Sequence, residues 1–450
     1  MIYPIFVNPL KRVKHARLAE VEIKDKIILL PTYFTKLKSE YEMKSLVNKI
    51  NNIEYRMDGY CVNIQDAEIL LEEPSNKTRY YQTQLDGKIK PKQKEILNKK
   101  LLIIDPQTEV FYYDYKTRNG KSAQQNIISL EGFPNMLRNK LLEINKHKKK
   151  ERNKIWKDLY ETRYLFPLIN WYSLYQNKFG ADIINPPTPV IDGNKTILRI
   201  ALYVNQATTD IVRDRFDALP STYLPIHYNA VRKDGFLKII LDEFLEHIYQ
   251  TRILIIKLLW FDKLESAIER KNFSKFLTEI DKLKLELDNN LVVFYLDGLN
   301  ESLYTLMNGV DIYIEPLDGI NKPMHGKKGK SEEEKKYDEE MGIKYTKHGN
   351  YYLKDTREFI PYWRLLKIVK NNNGYLPCNC KFCSKYHKNL SFDTPSEKWN
   401  SDRRMHLINA RLEEIEKLKD HVFNNDVDAF RWLAMRDGNK NHIDLLPEES

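Results

Sequence analysis

The chain has 450 residues, 42% hydrophobic and 30% charged, enough for one large or two ordinary globular domains with a substantial core. Four cysteines exclude a disulfide scaffold and fit a reducing compartment, and no apolar run is long enough to cross a membrane as a helix. Lys+Arg 73 against Asp+Glu 63 leaves +10, so a polyanionic partner and an inert basic surface are both open.

The N-terminus, MIYPIFVNPLKRVKHARL, is apolar before it is basic, the reverse of a signal peptide, and the chain is expected to be cytoplasmic. Lys26–Phe34 (KIILLPTYF) reads as the first strand, Tyr60–Ile64 as a weak one and Leu101–Asp105 (LLIID) as a clear one. Ala181–Asn185, Ile200–Val204, Ile253–Phe261, Leu291–Leu296 and Val310–Glu315 complete the set, with helices at Phe236–Tyr249 and Leu264–Leu287. Most are continuous apolar runs, as expected when both strand faces are covered. Repeating strand–helix units predict an α/β protein, a (β/α)8 barrel with insertions; a doubly wound open sheet is the alternative. Lys146–Lys154 is a basic run, a solvated helix face or a phosphate contact, and Lys322–Met341 reads as an excursion after the last strand. The expected domains are a barrel over 1–376, with its excursion at 319–345, and a cysteine-bearing subdomain with C-terminal helices over 377–450.

Cys378, Cys380 and Cys383 fall together in PCNCKFC. Thiolates this close suit tetrahedral Zn2+, which wants four N or S ligands, and a full protein shell makes the ion structural. Cys61 lies far upstream, so the fourth ligand is expected to be a histidine: His387, close by, or His406, at the start of a helical stretch.

C-x-C-x2-C followed by a helix-borne histidine resembles the zinc site of the tRNA-guanine transglycosylases. Other segments follow in that family's order. ARLAEVEIKDKIILLPTYFTK looks like its opening hairpin and first barrel strand, and LLIIDPQTEVF like the strand ending in its Asp-Ser-Gly-Gly. YLDGLNESLYTLMNGVDIYIEP resembles strands seven and eight, and GIKYTKHGNYYLKD the hairpin before the cysteines. The resemblance implies a (β/α)8 barrel that exchanges guanine in a polynucleotide for a 7-deazaguanine, with a structural Zn2+ on Cys378, Cys380, Cys383 and His406. One carboxylate would trap the sugar C1′ covalently while a second carboxyl group moves protons, as in retaining glycosidases. On this pattern Asp105 is the general acid/base; a bland alternative is that it caps the turn at Pro106. Asn205 or Gln206, ending the strand over 200–204, would contact the base, as would Asp297.

The chain also departs from the family. Pro-Gln-Thr-Glu follows Asp105 in place of Ser-Gly-Gly, and Ile314 stands where the nucleophilic aspartate belongs. Such rewriting is similar to that of the 7-deazaguanine DNA transglycosylases, which insert a preQ0-type base into DNA. DNA is therefore the expected substrate, with tRNA as substrate or a catalytically inactive nucleic-acid-binding accessory subunit as the alternatives. The expected partners are the 7-deazaguanine base and a second copy of the chain, as a homodimer, or an accessory modification protein, with no membrane. Alternation over Val310–Glu315 puts Asp311, Tyr313 and Glu315 on one face, expected to point into the barrel. Glu315, nearest the carboxyl end, is the expected nucleophile, with Asp311 the alternate, about four residue rises (~13 Å) below.

Overall fold

The computed structural model describes residues 5–13, 15–71, 97–112, 122–145, 162–259, 267–297, 302–317, 349–391 and 394–424. The basic run 146–154 and the excursion at 322–341 lie outside the described residues. The chain opens with a three-stranded antiparallel sheet, β1 (Phe6–Val13), β2 (Ala16–Ile23) and β3 (Lys26–Leu30). A cis Leu30–Pro31 bond then leads into β4 (Thr32–Leu37), so the run expected as one strand over 26–34 is two.

From β4 the chain builds a parallel sheet: β5 (Gly59–Asn63), β6 (Leu101–Asp105), β7 (Ile183–Ile184), β8 (Leu219–Pro220), β9 (Thr222–His227), β10 (Ile253–Leu259), β11 (Val292–Leu296) and β12 (Ile312–Pro316). Their order is β8-β7-β6-β5-β4-β12-β11-β10-β9. Only Ser221 separates β8 from β9, so the two are one run of chain that pairs with β7 on one side and β10 on the other. The nine strands therefore occupy eight places around a TIM-like barrel.

Strand alternation divides the core. Phe34, Ile103, Ile255, Phe294, Ile312 and Ile314 pack in the interior cluster, while Tyr33, Ile104, Ile256, Tyr295 and Tyr313 belong to the cluster shared with the surrounding helices. Ala19, Val21 and Ile28 of the N-terminal sheet join the interior cluster and plug it from below. Gly59 is required where β5 crosses Phe34: a Cβ there would lie 2.4 Å from the Phe34 ring and 2.8 Å from the Leu101 carbonyl.

The run expected as a strand at Ile200–Val204 lies inside a helix, Lys195–Arg215. Its apolar residues follow a helical period, burying Ile197, Leu198, Ala201, Val204, Ile211 and Val212, and Asn194 caps it by accepting from Thr196 N–H. The true fifth place is Leu219–His227, whose Pro220 and Pro225 make it read as a loop. After the barrel come an antiparallel hairpin, β13 (Asn350–Leu353) with β14 (Glu358–Pro361), the helix Tyr362–Asn371, the cysteine loop and the helix Ser396–Asn424. No helix among the described residues is long and apolar enough to cross a membrane.

Candidate metal centre and barrel-mouth site

The C-terminal subdomain brings Cys378, Cys380, Cys383 and His406 together, with one donor atom from each lying within 4.8 Å of the others. The cysteine loop folds back because the N–H groups of Cys383 and Ser384 both donate to the Cys380 carbonyl, at 2.9 and 3.0 Å. His406 lies mid-helix rather than opening it, within Ser396–Asn424. Its Nε2 lies 2.9 Å from the Tyr352 carbonyl, which assigns the proton to Nε2 and leaves Nδ1 facing the sulfurs, 3.4 Å from Cys380 Sγ. The imidazole stacks flat on Tyr351 (centroids 4.6 Å apart), whose hydroxyl is 3.3 Å from Cys383 Sγ. Burial opposes charge on His406, yet the Cys378 and Cys380 sulfurs outweigh it and raise its pKa to about 10. The sulfur charge that would draw a proton to Nδ1 would equally draw a divalent cation, whose binding displaces that proton. Three thiolates and an imidazole with an oriented second nitrogen fit a metal ion such as zinc. His387 is not one of the four; its ring meets Tyr375 and its Nε2 faces the Cys378 carbonyl.

A second cluster fills the barrel at the carboxyl ends of its strands. Lys36, on β4, places Nζ 2.5 Å from Asp105 Oδ2 and 2.7 Å from both oxygens of Asp297. Lys257, on β10, places Nζ 2.7 Å from Asp105 Oδ2, 2.7 Å from Glu109 Oε1 and 3.2 Å from Asp297 Oδ2. Tyr223 OH donates to Asp105 Oδ1 at 3.3 Å, and Gln107 N–H reaches the same oxygen at 3.1 Å. All of these side chains are buried. The chain leaves β6 and β11 through Gln107 (φ 51°) and Asp297 (φ 64°), left-handed conformations that only glycine adopts freely.

The cluster splits its acids into two kinds. Burial alone would raise Asp105, but Lys257 and Lys36 overcome it and hold the carboxyl below the usual range. The same balance, with Lys36 the stronger partner, holds Asp297 low. At Glu109 burial wins over Lys257 and the pKa is raised. The two lysines stay cationic because the carboxylates offset the cost of burying them.

Of the expected mouth residues, Asp105 and Asp297 meet, both bonded to one ammonium. Asp105 also caps its turn through Gln107, so the bland reading holds alongside the cluster. Asn205 and Gln206 do not end a strand. They lie on the helix Lys195–Arg215, where Asn205 Oδ1 accepts from Tyr223 N–H at 2.8 Å and Gln206 is exposed. Strand eight faces the opposite way from expectation, since Ile312 and Ile314 fill the interior. Glu315 therefore points outward, where Arg411 holds it by a bidentate pair at 2.9 and 3.0 Å. Arg411 also lies over the Tyr352 ring and bonds Glu414, so Glu315 ties the metal-bearing helix to the barrel wall. Asp311 sits at the opposite end of the barrel, fixed by Arg17 at 2.8 and 2.9 Å and by Lys284 at 2.7 Å. The expectation failed because a buried strand in a wrapped barrel can carry its charges on the helix-covered face, where long cations reach them.

Compared with models of known families and with characterised proteins, the sequence matches none. Lys36, Lys257, Glu109 and Tyr223 were not picked out by sequence reasoning. A signal existed for two of them: a lone lysine inside TYFTK or ILIIKLLWF, strands covered on both faces, must find carboxylates. His227, ending β9, is a strand-end histidine; its Nδ1 accepts from Asn229 N–H, and among the described residues it belongs to no metal-binding group.

Proposed function

We propose that the chain is a transglycosylase resembling the tRNA-guanine transglycosylases, exchanging guanine in DNA for a 7-deazaguanine of preQ0 type, with zinc as the structural ion. The observation carrying this reading is the pairing of Asp105 and Asp297 at the carboxyl-terminal mouth. Each has an oxygen within 2.7 Å of Lys36 Nζ, so those oxygens are at most about 5 Å apart. Two carboxylates this close at a barrel mouth can place one as the nucleophile on a sugar carbon with the other beside it as an electrostatic partner. The lysines keep both acids ionised, as a nucleophile and an electrostatic partner for a cationic sugar require. On this reading Asp297 takes the nucleophile's role in place of Glu315 and Asp311, and the Cys3His cluster holds the helix that closes on β12. Replacement of Ser-Gly-Gly by Pro106-Gln107-Thr108 favours DNA over tRNA.

The test is nucleoside analysis of DNA and tRNA from cells that express the chain and are supplied with preQ0. Modified deoxyguanosine that vanishes with Asp297→Asn supports the reading, and modification confined to tRNA reassigns the substrate. A binding-only accessory subunit is the second reading, because every oxygen of Asp297 and Asp105 is already engaged by a lysine, a tyrosine or a backbone N–H. It is selected if wild type and Asp297→Asn both bind oligonucleotide and neither modifies it.

A further inference from the structure

The mouth cluster holds three carboxyl groups against two ammonium ions, and they are not equivalently placed. Asp105 and Asp297 each touch both lysines. Glu109 touches Lys257 alone, through Oε1, while its Oε2 is buried and has no hydrogen-bond partner among the described residues. Burying a lone carboxylate oxygen is costly unless it carries a proton or faces a donor. Two ammonium ions neutralise two carboxylates, so the third acid is left to resolve its charge by protonation.

We propose that Glu109 is the proton carrier of base exchange: neutral in the resting site, it delivers the Oε2 proton to the departing base. This rests on the transglycosylase reading above. In the first half-reaction an Asp297 oxygen bonds to the sugar C1′ while the C1′–N9 bond breaks and its electron pair stays with guanine. The Glu109 proton passes to a ring nitrogen of that guanine, which leaves neutral, and the new Glu109 carboxylate is stabilised by Lys257. In the second half-reaction N9 of the incoming 7-deazaguanine attacks C1′, its N–H proton returns to Glu109, and the C1′–O bond breaks to restore the Asp297 carboxylate. Protons and charges balance over the cycle, with no further reagent. The groups around Glu109 compete: burial raises its pKa most, Lys257 lowers it, Asp105 raises it and Lys36 lowers it, and the balance is upward. Tyr223, whose own pKa burial pushes well up, stays neutral beside Asp105. The division of labour is thus two acids locked as anions and one kept as an acid.

Two measurements test this. Infrared difference spectroscopy of the full chain at neutral pH should contain a protonated carboxyl band that Glu109→Gln removes, Asp105→Asn preserves and Glu109→Asp shifts. Single-turnover base release should fall about 100-fold or more in Glu109→Gln for an oligonucleotide carrying guanine. The same variant should approach the wild-type rate when the target is 7-methylguanine, whose departure as a neutral base needs no added proton. Asp297→Asn should lose both reactions. Equal loss of both substrates in a Glu109→Gln chain that melts like wild type, or absence of the carboxyl band, overturns the assignment. A wild-type chain inactive on both oligonucleotides yet retaining the band overturns the transglycosylase reading itself, and the proton-delivery role falls with it.

Discussion

Glu315→Gln should weaken the molecule without touching the chemistry at the barrel mouth. Glu315 is fully buried and Arg411 is 2% exposed, so removing the carboxylate charge strands a guanidinium away from water. Breaking one side of a buried pair costs about 3–5 kcal/mol. Arg411 retains Glu414 at 3.1 Å, which places the loss near the lower end, about 3 kcal/mol. With unfolding entropy near ~2.1 cal/mol/K per residue, 450 residues give ~0.9 kcal/mol/K, so Tm should drop by about 3 °C. Calorimetry of Glu315→Gln, Arg411→Leu and the Glu315→Leu/Arg411→Leu pair reads this directly. The double variant should recover most of the loss, because it leaves no buried charge from this pair. Glu315→Gln melting within about 1 °C of wild type, with base exchange abolished, would refute the clamp and return Glu315 to the chemistry.

Cys380→Ser should lower bound zinc and thermal stability together, whereas Cys61→Ser, inside the barrel, should leave metal content unchanged by elemental analysis. Lys36→Met should cost about 3–5 kcal/mol in denaturant titrations at pH 8. The deficit should persist down to about pH 4 and shrink only below 3.8, because wild-type Asp105 and Asp297, held below that value, contribute stability that is present above it and lost as pH falls through their lowered pKa values. Glu109 has the opposite sign: its raised pKa makes stability fall as pH climbs above 4.5, and Glu109→Gln should flatten that part of the profile. Gly59→Ala should cost about 1–3 kcal/mol by urea melting, since its methyl would overlap the Phe34 ring.

The barrel was legible where apolar runs are short and covered on both faces, as at LLIID and LVVFYL, which fold as strands within a residue of expectation. It was not legible at Ile200–Val204, where a five-residue window cannot distinguish a strand from one turn and a half of buried helix. Nor could it be seen at Leu219–His227, where two prolines mask a strand held by neighbours on both sides. The cysteine spacing carried the metal cluster because ligands close in sequence need little help from the fold, and only the choice of histidine depended on tertiary structure. The mouth was half visible: Asp105 and Asp297 stand at strand ends, but their lysines come from β4 and β10, far apart in the chain. Glu315 and Asp311 misled because alternation fixes which residues share a face and leaves open which face is inside.

The barrel wall between β6 and β9 is held differently from the rest. There β7 contributes only Ile183 and Ile184 to the ladder. Side-chain amides do much of the joining: Gln176 holds both backbone groups of Asn185, Asn185 Nδ2 reaches the Ile104 carbonyl, Ser221 Oγ reaches Asn185, and Asn205 holds Tyr223 N–H. Asn205 is thus a rivet. A ring of strands yields first at its shortest ladder, and here a few backbone bonds are supplemented by side-chain ones. The joint lies between Asp105 and Tyr223, whose hydroxyl spans it at 3.3 Å. Lys257, on β10, spans the same joint to Asp105 and Glu109, so any widening of the wall would loosen the tyrosine and this lysine together while Lys36, on the other side, kept its hold on Asp105.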